Sequence, residues 1–280
     1  MTGAATVIDP AAAPGWHAAL RLRFAPRGSA TRLVAREHRG PLAVQRTFHA
    51  ADGSCHAYLL HPPGGVVSGD RLETSVDVAS GGRALATSPG ATKFYRSAGA
   101  LALQAIDLHV APGARLDWLP QETIVFSGAA VASTTRVRLA ADARHCGWEI
   151  LCLGRPGSDA PFAAGRWRAS LAIDRDGRPL LRERLAVDAG RLAGPAALRG
   201  YPVTATFWAT PATPALRDAL QALLAAQPTP GGATLVDGLL VVRLLGHASE
   251  PLRRILQTCW QTCRAAIDGA APTVPRIWAT

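Results

Sequence analysis

The chain has 280 residues, of which 48% are apolar, so it can bury a substantial core and is not a wholly disordered chain. No apolar run approaches the roughly 18 residues of a membrane helix, since Arg243 interrupts the best one, 239–245. The net charge of +10 comes from arginines scattered along the chain, with Lys93 the only lysine, which argues against a nucleic-acid surface and favours acidic protein partners.

Residues 1–15 are predicted to form a flexible N-terminal tail, because they are rich in Ala, Pro and Thr. Residues 16–280 are predicted to form a single domain, since no linker rich in Gly, Ser or charge divides them. The N-terminus has neither a basic start nor an apolar block, so we expect no signal peptide and a cytoplasmic location. The odd number of cysteines, five, and the lack of Cys-x-x-Cys predict free thiols rather than disulfides.

Short segments of alternating apolar and polar residues fill the first two thirds of the chain, and this period is typical of strands with one buried face. The predicted strands are 15–24, 31–37, 42–48, 55–61, 72–78, 84–87, 101–110, 115–119, 124–126, 133–139, 148–153, 167–173 and 180–187. Breaks such as Gly40-Pro41 and the turn 174–177 predict antiparallel neighbours. The fold class is therefore mainly β, with stacked antiparallel sheets that are β-helix-like or sandwich-like; no repeat is strict enough to name a solenoid.

Two helices are predicted in the C-terminal third. The first follows Thr213, a good N-cap, and Pro214, and runs to about Gln227. The second runs from Ser249 to about Ile267, with its apolar residues on one side. Between them, 233–245 is predicted to be a hairpin around Asp237-Gly238.

Three segments, 61–70, 88–97 and 116–126, each set a Pro/Gly turn against a short apolar run, which fixes polar groups at strand tips. None has the spacing of a phosphate-binding loop, and no Gly-x-Ser-x-Gly nucleophile elbow occurs. The only acid/base candidates are Asp117 and Glu122, which flank an apolar stretch that could raise a carboxyl pKa. We favour the alternative that backbone amides satisfy both.

No tight metal site is predicted. Cys55 and His56 are neighbours in a strand, so their side chains point to opposite faces. Cys259 and Cys263 lie one helical turn apart, where thiolates could bind a soft ion, but buried cysteines that act as small apolar residues are more common. The remaining isolated histidines, His17, His38, His49, His109, His145 and His247, are predicted to be surface or packing residues.

The three Pro/Gly segments, together with 40–46, 154–157 and 275–280, resemble the UreD family of urease accessory proteins, called UreH in some organisms. The resemblance extends from Trp16 to Thr280 and has six motifs in the family's order. It departs from the family pattern at Ser68, where we expect glycine, and at Asp117, where we expect glutamate; either change could alter the shape or reach of a loop.

The resemblance implies a non-enzymatic metallochaperone scaffold needed for nickel insertion into apo-urease. It implies a complex with the accessory protein UreF and, through UreF, the GTPase UreG, and a water-filled passage as the nickel route. It also implies a mostly β fold with stacked, β-helix-like sheets and two helices. No tightly bound cofactor is expected, only transient Ni²⁺.

Within this framework, the polar loop residues His61, Asp70 and Glu122 are predicted as weak, transient nickel contacts. The loop residues predicted to line the passage or meet a partner are Pro62, Gly64, Gly65, Lys93, Tyr95, Arg96 and Gln121. Two other functions stay open: an enzyme that uses Asp117 or Glu122 as a base, and a structural scaffold that binds urease without contacting nickel.

Overall fold

A computed structural model describes residues 15–194 and 197–279, so the predicted tail lies outside the described residues except for Gly15, as does Thr280. Two helices, α1 Pro214–Ala225 and α2 Ser249–Asp268, accompany the strands. The strands are β1 His17–Arg27, β2 Ala30–Arg39, β3 Ala43–His49, β4 Cys55–Leu60, β5 Arg71–Val78, β6 Arg83–Thr87, β7 Thr92–Phe94, β8 Ala102–Val110, β9 Arg115–Leu119, β10 Thr123–Val125, β11 Ala130–Leu139, β12 Arg144–Leu153, β13 Arg166–Arg175, β14 Arg178–Asp188, β15 Val203–Thr210, β16 Gly231–Val236 and β17 Leu239–Gly246.

The strands form two stacked sheets. Sheet A has the order β14-β13-β11-β8-β5-β1-β2, and sheet B has the order β16-β17-β15-β12-β9-β6-β4-β3. The short strands β7 and β10 extend from β12 as a third, narrow face. The predicted class, mainly β with stacked β-helix-like sheets and two C-terminal helices, is confirmed.

The strand direction differs from the prediction, because the middle of both sheets is parallel. The chain passes from sheet B to sheet A and back, and each return adds a parallel strand beside the previous one. Antiparallel pairs occur where hairpins end a sheet, as in β1–β2 and β13–β14. Alternation of apolar and polar residues reports one buried face and is the same for both directions, so it could not distinguish them.

The corners of successive coils repeat the same turn. Gly82, Ala114 and Ala143 donate their amides to the carbonyls of the residues three positions earlier, at 2.9, 3.1 and 3.1 Å. These turns stack, since the Gly81 amide donates to the Pro112 carbonyl at 3.0 Å. Successive coils are separated by roughly 30 residues, the size of a solenoid repeat.

The two helices and the hairpins predicted at 174–177 and 233–245 are confirmed. The antiparallel pair predicted around Gly40-Pro41 is wrong, because β2 and β3 lie in different sheets, and two strands, β7 and β15, were missed. Asp176 and Asp237 both adopt positive φ, 48° and 47°, ahead of a glycine, as a tight hairpin turn requires. The Thr213 hydroxyl accepts the Leu216 amide at 3.2 Å and caps α1. Of the two missed strands, β7 lies within the second Pro/Gly segment, and β15 joins the parallel part of sheet B to the C-terminal hairpin β16–β17.

Two apolar cores result. One lies between the sheets, and the other lies between sheet B and the helices. Alternation along β12 divides its side chains between them: Leu151 and Leu153 face sheet A, whereas Trp148 and Ile150 face the helices. Trp278 closes the second core near the C-terminus, where its indole donates to the Thr87 hydroxyl at 3.0 Å and packs on Trp148.

A buried ion pair holds α2 to sheet B. Arg264 is 1% exposed and contacts the Asp117 carboxylate through Nη2 at 2.6 Å and Nε at 2.7 Å, and the Trp260 indole donates to the same oxygen at 3.1 Å. Asp268, one turn further along α2, pairs with Arg115 at 3.1 Å and Arg144 at 2.8 Å. These arginines begin β9 and β12, so the network holds the C-terminal turn of α2 to the start of two coils.

No helix among the described residues is both long enough and apolar enough to cross a membrane. The five cysteines are buried and unpaired.

We predict that Arg264→Met lowers the free energy of unfolding by about 3 kcal/mol, because it leaves the buried Asp117 carboxylate with only the more distant Arg115, at 3.9 Å. Chemical denaturation of the folded chain at neutral pH measures the change. The control is Arg254→Met on the same helix, where a 73% exposed side chain pairs with Glu250 and about 0.5 kcal/mol or less is expected. Equal effects of the two substitutions would contradict a special role for the buried pair.

Candidate functional site

A cavity of about 890 Å³ lies between the two sheets. Its wall extends in sheet B from the end of β4, at His61, to β17, at Arg243 and Leu245, and in sheet A from β5 to β14. In sheet B this crosses five inter-strand steps, which is about 24 Å at the usual strand spacing of about 4.8 Å. The cavity therefore crosses the strands, along the direction in which the coils stack.

Polar residues occupy inward positions of the strands where the cavity lies. Ser133 on β11 donates to Gln104 on β8 at 3.2 Å, and Thr135 donates to Glu149 on β12 at 2.5 Å. Ser133, Gln104 and Glu149 line the cavity. A closely packed core between sheets would carry apolar residues at these positions, so the lining indicates a solvated interior.

Glu149 is the deepest carboxylate of the wall. Burial raises the pKa of its carboxyl, the nearby Glu183 carboxylate raises it further, and the hydrogen bond from Thr135 opposes them. Its side chain lines the cavity. An acid in such a place readily exchanges its proton for a cation that partly neutralises the charge.

An ion pair bridges the sheets at the far end of the cavity. Glu183 on β14 accepts two hydrogen bonds from Arg243 on β17, at 3.0 and 2.9 Å. Both residues line the cavity, as does the neighbouring Arg184. This end of the cavity is therefore framed by charges of both signs.

Several nitrogen atoms of lining residues have no hydrogen-bond partner among the described residues. They are His61 Nε2, Trp118 Nε1 and Trp167 Nε1. Buried polar atoms ordinarily have a partner, and unpartnered ones beside a cavity are where bound water or a ligand is expected. Burial also lowers the pKa of the His61 imidazole, with partial opposition from Asp70, so the ring is neutral at neutral pH and able to bind a metal.

The structure brings the three predicted Pro/Gly segments together. Val66, β7 and β10 pair in parallel as equivalent positions of successive coils. The end of the cavity at β4 is lined by residues of these segments, namely His61, Pro62 and Gln121.

Asp70 and Glu122 have other contacts. The two carboxylate oxygens of Asp70, which is buried, accept the amides of Trp16 at 3.1 Å and Val67 at 2.9 Å and so hold the start of β1 to the first loop. The backbone carbonyl of Glu122 accepts the Thr92 amide at 3.0 Å. Burial, and then the Glu122 carboxylate, raise the pKa of the Cys152 thiol to about 11, and Cys152 belongs to the core on the helix side of sheet B.

The other predicted loop residues form the outer layer of the narrow third face. The Tyr95 hydroxyl donates to the Gly64 carbonyl at 3.1 Å, and the Tyr95 ring covers Gly65 so closely that an added Cβ would lie 2.3 Å from it. The Lys93 carbonyl accepts the Val66 amide at 2.7 Å. Arg96 packs in the same way over Gly128.

The Asp117 carboxylate has a structural role, because it contacts the side chains of Arg264 and Trp260. Its carboxylate lies on the helix side of sheet B and not in the cavity wall. The alternative that Asp117 acts as an enzymatic base therefore has no support in the geometry.

The cysteines of α2 behave as apolar residues. Cys259 and Cys263 are fully buried, and burial raises the pKa of the Cys259 thiol to about 12 and that of Cys263 further. Neutral thiols are poor metal ligands. Within residues 15–194 and 197–279, no group of three or more His, Cys, Asp or Glu side chains has the arrangement to hold a metal ion.

Sequence reasoning missed Glu149 and Glu183, which the structure places on the cavity wall. For Glu149 the sequence did contain an indication, because this acidic residue interrupts the apolar run 146–153 of β12. A charged residue within a strand that is buried on both faces indicates a partner or a cavity.

The fold and the cavity define a β-solenoid protein with a cavity between its two sheets and helices on one face. The family profile described as "UreD urease accessory protein" matches residues 17–279, and the chain therefore belongs to the UreD family. It is 48% identical over 280 residues to the urease accessory protein UreD of Pseudomonas entomophila strain L48, covering 100% of both chains.

Other relatives agree. The chain is 47% identical over 271 residues to the UreD of Alkalilimnicola ehrlichii, covering 95% of this chain and 92% of the relative. It is 43% identical over 275 residues to the UreD of Klebsiella pneumoniae, covering 98% and 99%. The predicted family is thus confirmed, and it is a family of accessory proteins rather than catalysts.

We predict that Glu149→Gln stabilises the metal-free chain above about pH 5 and has no effect below about pH 4. A carboxyl with a raised pKa in the folded state contributes stability that is fully present below its ordinary pKa, here 4.5, and is lost as pH rises through the folded value. Glutamine removes that loss and can still accept the hydrogen bond from Thr135. The measurement is urea denaturation from about pH 3 to 8 in the presence of a chelator.

The control for this prediction is Glu37→Gln on the exposed strand β2, where the carboxylate lies 3.9 Å from Arg21 and little change with pH is expected. A Glu149→Gln variant that is less stable than the parent chain at pH 7 would show that the carboxylate is not destabilising.

Proposed function

We propose that this chain is a non-enzymatic scaffold for urease maturation that takes part in nickel insertion into apo-urease. In this proposal it acts in a complex with the accessory protein UreF and, through UreF, the GTPase UreG. Membership of the urease accessory family supports the role in maturation. GTP hydrolysis is assigned to the partner in this proposal, because the Gly-rich segments 64–69 and 90–93 lack the spacing of a nucleotide-binding loop. The chain's own proposed contribution is a route for the ion.

The observation that carries this proposal is the cavity between the sheets, whose largely apolar wall carries separated polar side chains. Averaged over its length of about 24 Å, its volume of about 890 Å³ corresponds to a cross-section of roughly 37 Å², which is wider than a single file of water. Imidazole is available near one end, at His61, and carboxylates at Glu149 and Glu183 further along. Nickel accepts both kinds of ligand.

A route requires weak binding at each position. At an association rate of about 10⁷ per molar per second, an ion held with micromolar affinity leaves about ten times a second, whereas one held with picomolar affinity leaves about once a day. Separated donors such as His61 and Glu149 suit the first case, and a site with four protein ligands suits the second. The scattered donors therefore support transfer rather than storage.

A second candidate is a structural scaffold that binds urease without contacting nickel. The buried network around Arg264 and the packed third face around Tyr95 favour a rigid body that such a role would use. The two candidates differ in whether the cavity carries the ion.

We predict that Ala169→Trp, which fills part of the cavity, lowers the nickel content of co-expressed urease to the level found without this chain. Ala169 lies on the inward face of β13 and lines the cavity. Metal analysis of purified urease, together with recovery of the assembled complex, gives the readout. The matched control is Ala19→Trp on the outward face of β1, which should leave nickel content unchanged. Normal loading with Ala169→Trp in an assembled complex would favour the structural scaffold.

We also predict that calorimetry of the assembled complex detects Ni²⁺ binding with a dissociation constant of about 1 μM or weaker. The combined variant His61→Ala and Glu149→Gln should reduce the heat of binding, because it removes donors at two positions of the cavity. His109→Ala on the outer face of β8 is the control. Complete lack of binding by the parent complex would contradict the proposed route.

A further inference from the structure

The ion pair between Glu183 and Arg243 lies where the cavity meets solvent. The carboxylate accepts hydrogen bonds from Arg243 Nε at 3.0 Å and from Nη2 at 2.9 Å, and both residues line the cavity. Their side chains nevertheless keep 28% and 47% of their surface exposed. β14 is the last strand of sheet A and β17 is the last but one of sheet B, so the pair bridges the two sheets at the edge of the stack.

The charged side chains of the cavity wall are mostly basic. Apart from His61, they are the acids Glu149 and Glu183 and the arginines 184, 199 and 243. Glu149 accepts a hydrogen bond from Thr135 and forms no ion pair in the described part of the chain. Glu183 is therefore the carboxylate of the wall that already holds a cation, and that cation is a side chain of the protein itself.

The two carboxylates of the wall are within electrostatic reach of each other. Burial, and then the Glu183 carboxylate, raise the pKa of the Glu149 carboxyl. A divalent cation beside Glu183 lowers the potential at both carboxylates, and its attraction to each is twice that of a guanidinium at the same distance. An ion that reaches this end of the cavity thus competes with Arg243 for Glu183.

Arg243 has free space on the side that leads out of the cavity. It stands opposite Thr206 on β15 and opposite Gly232 on β16. Thr206 lines the cavity, whereas a Cβ added to Gly232 would meet no atom within 4 Å. Directly opposite side chains of paired strands lie about 5 Å apart, so the place beside Arg243 on the β16 side is empty.

We propose that Arg243 is a displaceable gate at this end of the cavity. In the closed state its guanidinium occupies Glu183; a divalent cation arriving from the cavity takes its place on the carboxylate, and Arg243 turns outward over Gly232. That the cation is nickel in transit rests on the proposed function, whereas the competition for Glu183 rests on the geometry of the pair. The alternative is a permanent brace between the two sheets.

The test measures Ni²⁺ binding to the full-length chain by calorimetry at about 50 mM and about 500 mM salt. Arg243→Gln removes the competing charge, and Glu183→Gln/Arg243→Gln removes the carboxylate as well. Gly232→Val fills the space into which Arg243 turns. The matched control is Arg254→Gln, which removes an arginine that pairs with Glu250 on the exposed surface of α2. Thermal unfolding verifies that each variant is folded.

We expect Arg243→Gln to raise the affinity for Ni²⁺ about ten-fold at the lower salt concentration and by less at the higher one, because a charge close to the ion is removed and salt screens such charges. Gly232→Val should lower the affinity about three-fold, because it keeps Arg243 on Glu183. The double variant should show no gain over the parent chain, and the control should change by less than about two-fold.

An unchanged affinity in Arg243→Gln, with lower stability, would show that the pair is only a brace and would overturn the gate. So would a gain that persists in the double variant, or an equal gain in Arg254→Gln. An unchanged affinity in Gly232→Val would overturn the outward turn of Arg243.

Failure of the proposed function gives a different result. A gain in Arg243→Gln that is lost in the double variant keeps the gate, even if urease co-expressed with Ala169→Trp is loaded normally. Ni²⁺ binding that Arg243→Gln does not change, combined with failed loading in Ala169→Trp, rejects the gate and leaves the route in place. A parent chain that binds no Ni²⁺ would overturn both.

Discussion

The ion pair between Arg264 and Asp117 is the interaction on which the arrangement of sheet B and the helices depends. It connects α2 to β9 inside a core from which water is excluded, and Asp268 extends the same network to β12. A buried guanidinium strongly disfavours any arrangement that leaves its partner unpaired, so the position of α2 is specified rather than merely favoured. Because α2 is fixed in this way, it covers the helix side of sheet B. The Asp117 carboxylate is occupied by its contacts with Arg264 and Trp260.

The side of sheet B that faces sheet A has a different environment. There the inward positions of the coils include Gln104, Ser133 and Glu149, and the space between the sheets stays open. One strand, β12, serves both environments, with tryptophan and isoleucine toward the helices and glutamate toward the cavity. The same sheet thus separates the core beneath the helices from the core between the sheets, which contains the cavity of the proposed role.

The sequence predicted the elements better than their arrangement. Alternation located nearly every strand, and Thr213, Asp176 and Asp237 marked the cap and the hairpin turns, because these signals are local. Strand direction is not local, and it was predicted wrongly for the middle of both sheets. A repeat was nevertheless visible at 79–83, 111–115 and 140–144, where an alanine precedes a turn and an arginine follows it.

The candidate site was predicted only in part, for a physical reason. Loop residues such as His61 and Gln121 were singled out by Pro/Gly motifs, and the structure places both on the cavity wall. Asp70 resembled them in sequence but binds two backbone amides, which only the folded register shows. Glu149 and Glu183 lie in strands whose two faces differ in environment, and no pattern within one strand tells which face meets a cavity.

The strands at the two edges of sheet A run antiparallel to their neighbours, and this opposes end-to-end association of one molecule with another. A stack of parallel coils presents unpaired amides and carbonyls at its last coil, and a second molecule could continue it into a fibre. Here β2 and β14 run against their neighbours, and β2 carries Arg32, Arg36 and Arg39 along an exposed edge. Repulsion between like charges and the mismatch in direction oppose end-to-end polymerisation of the solenoid.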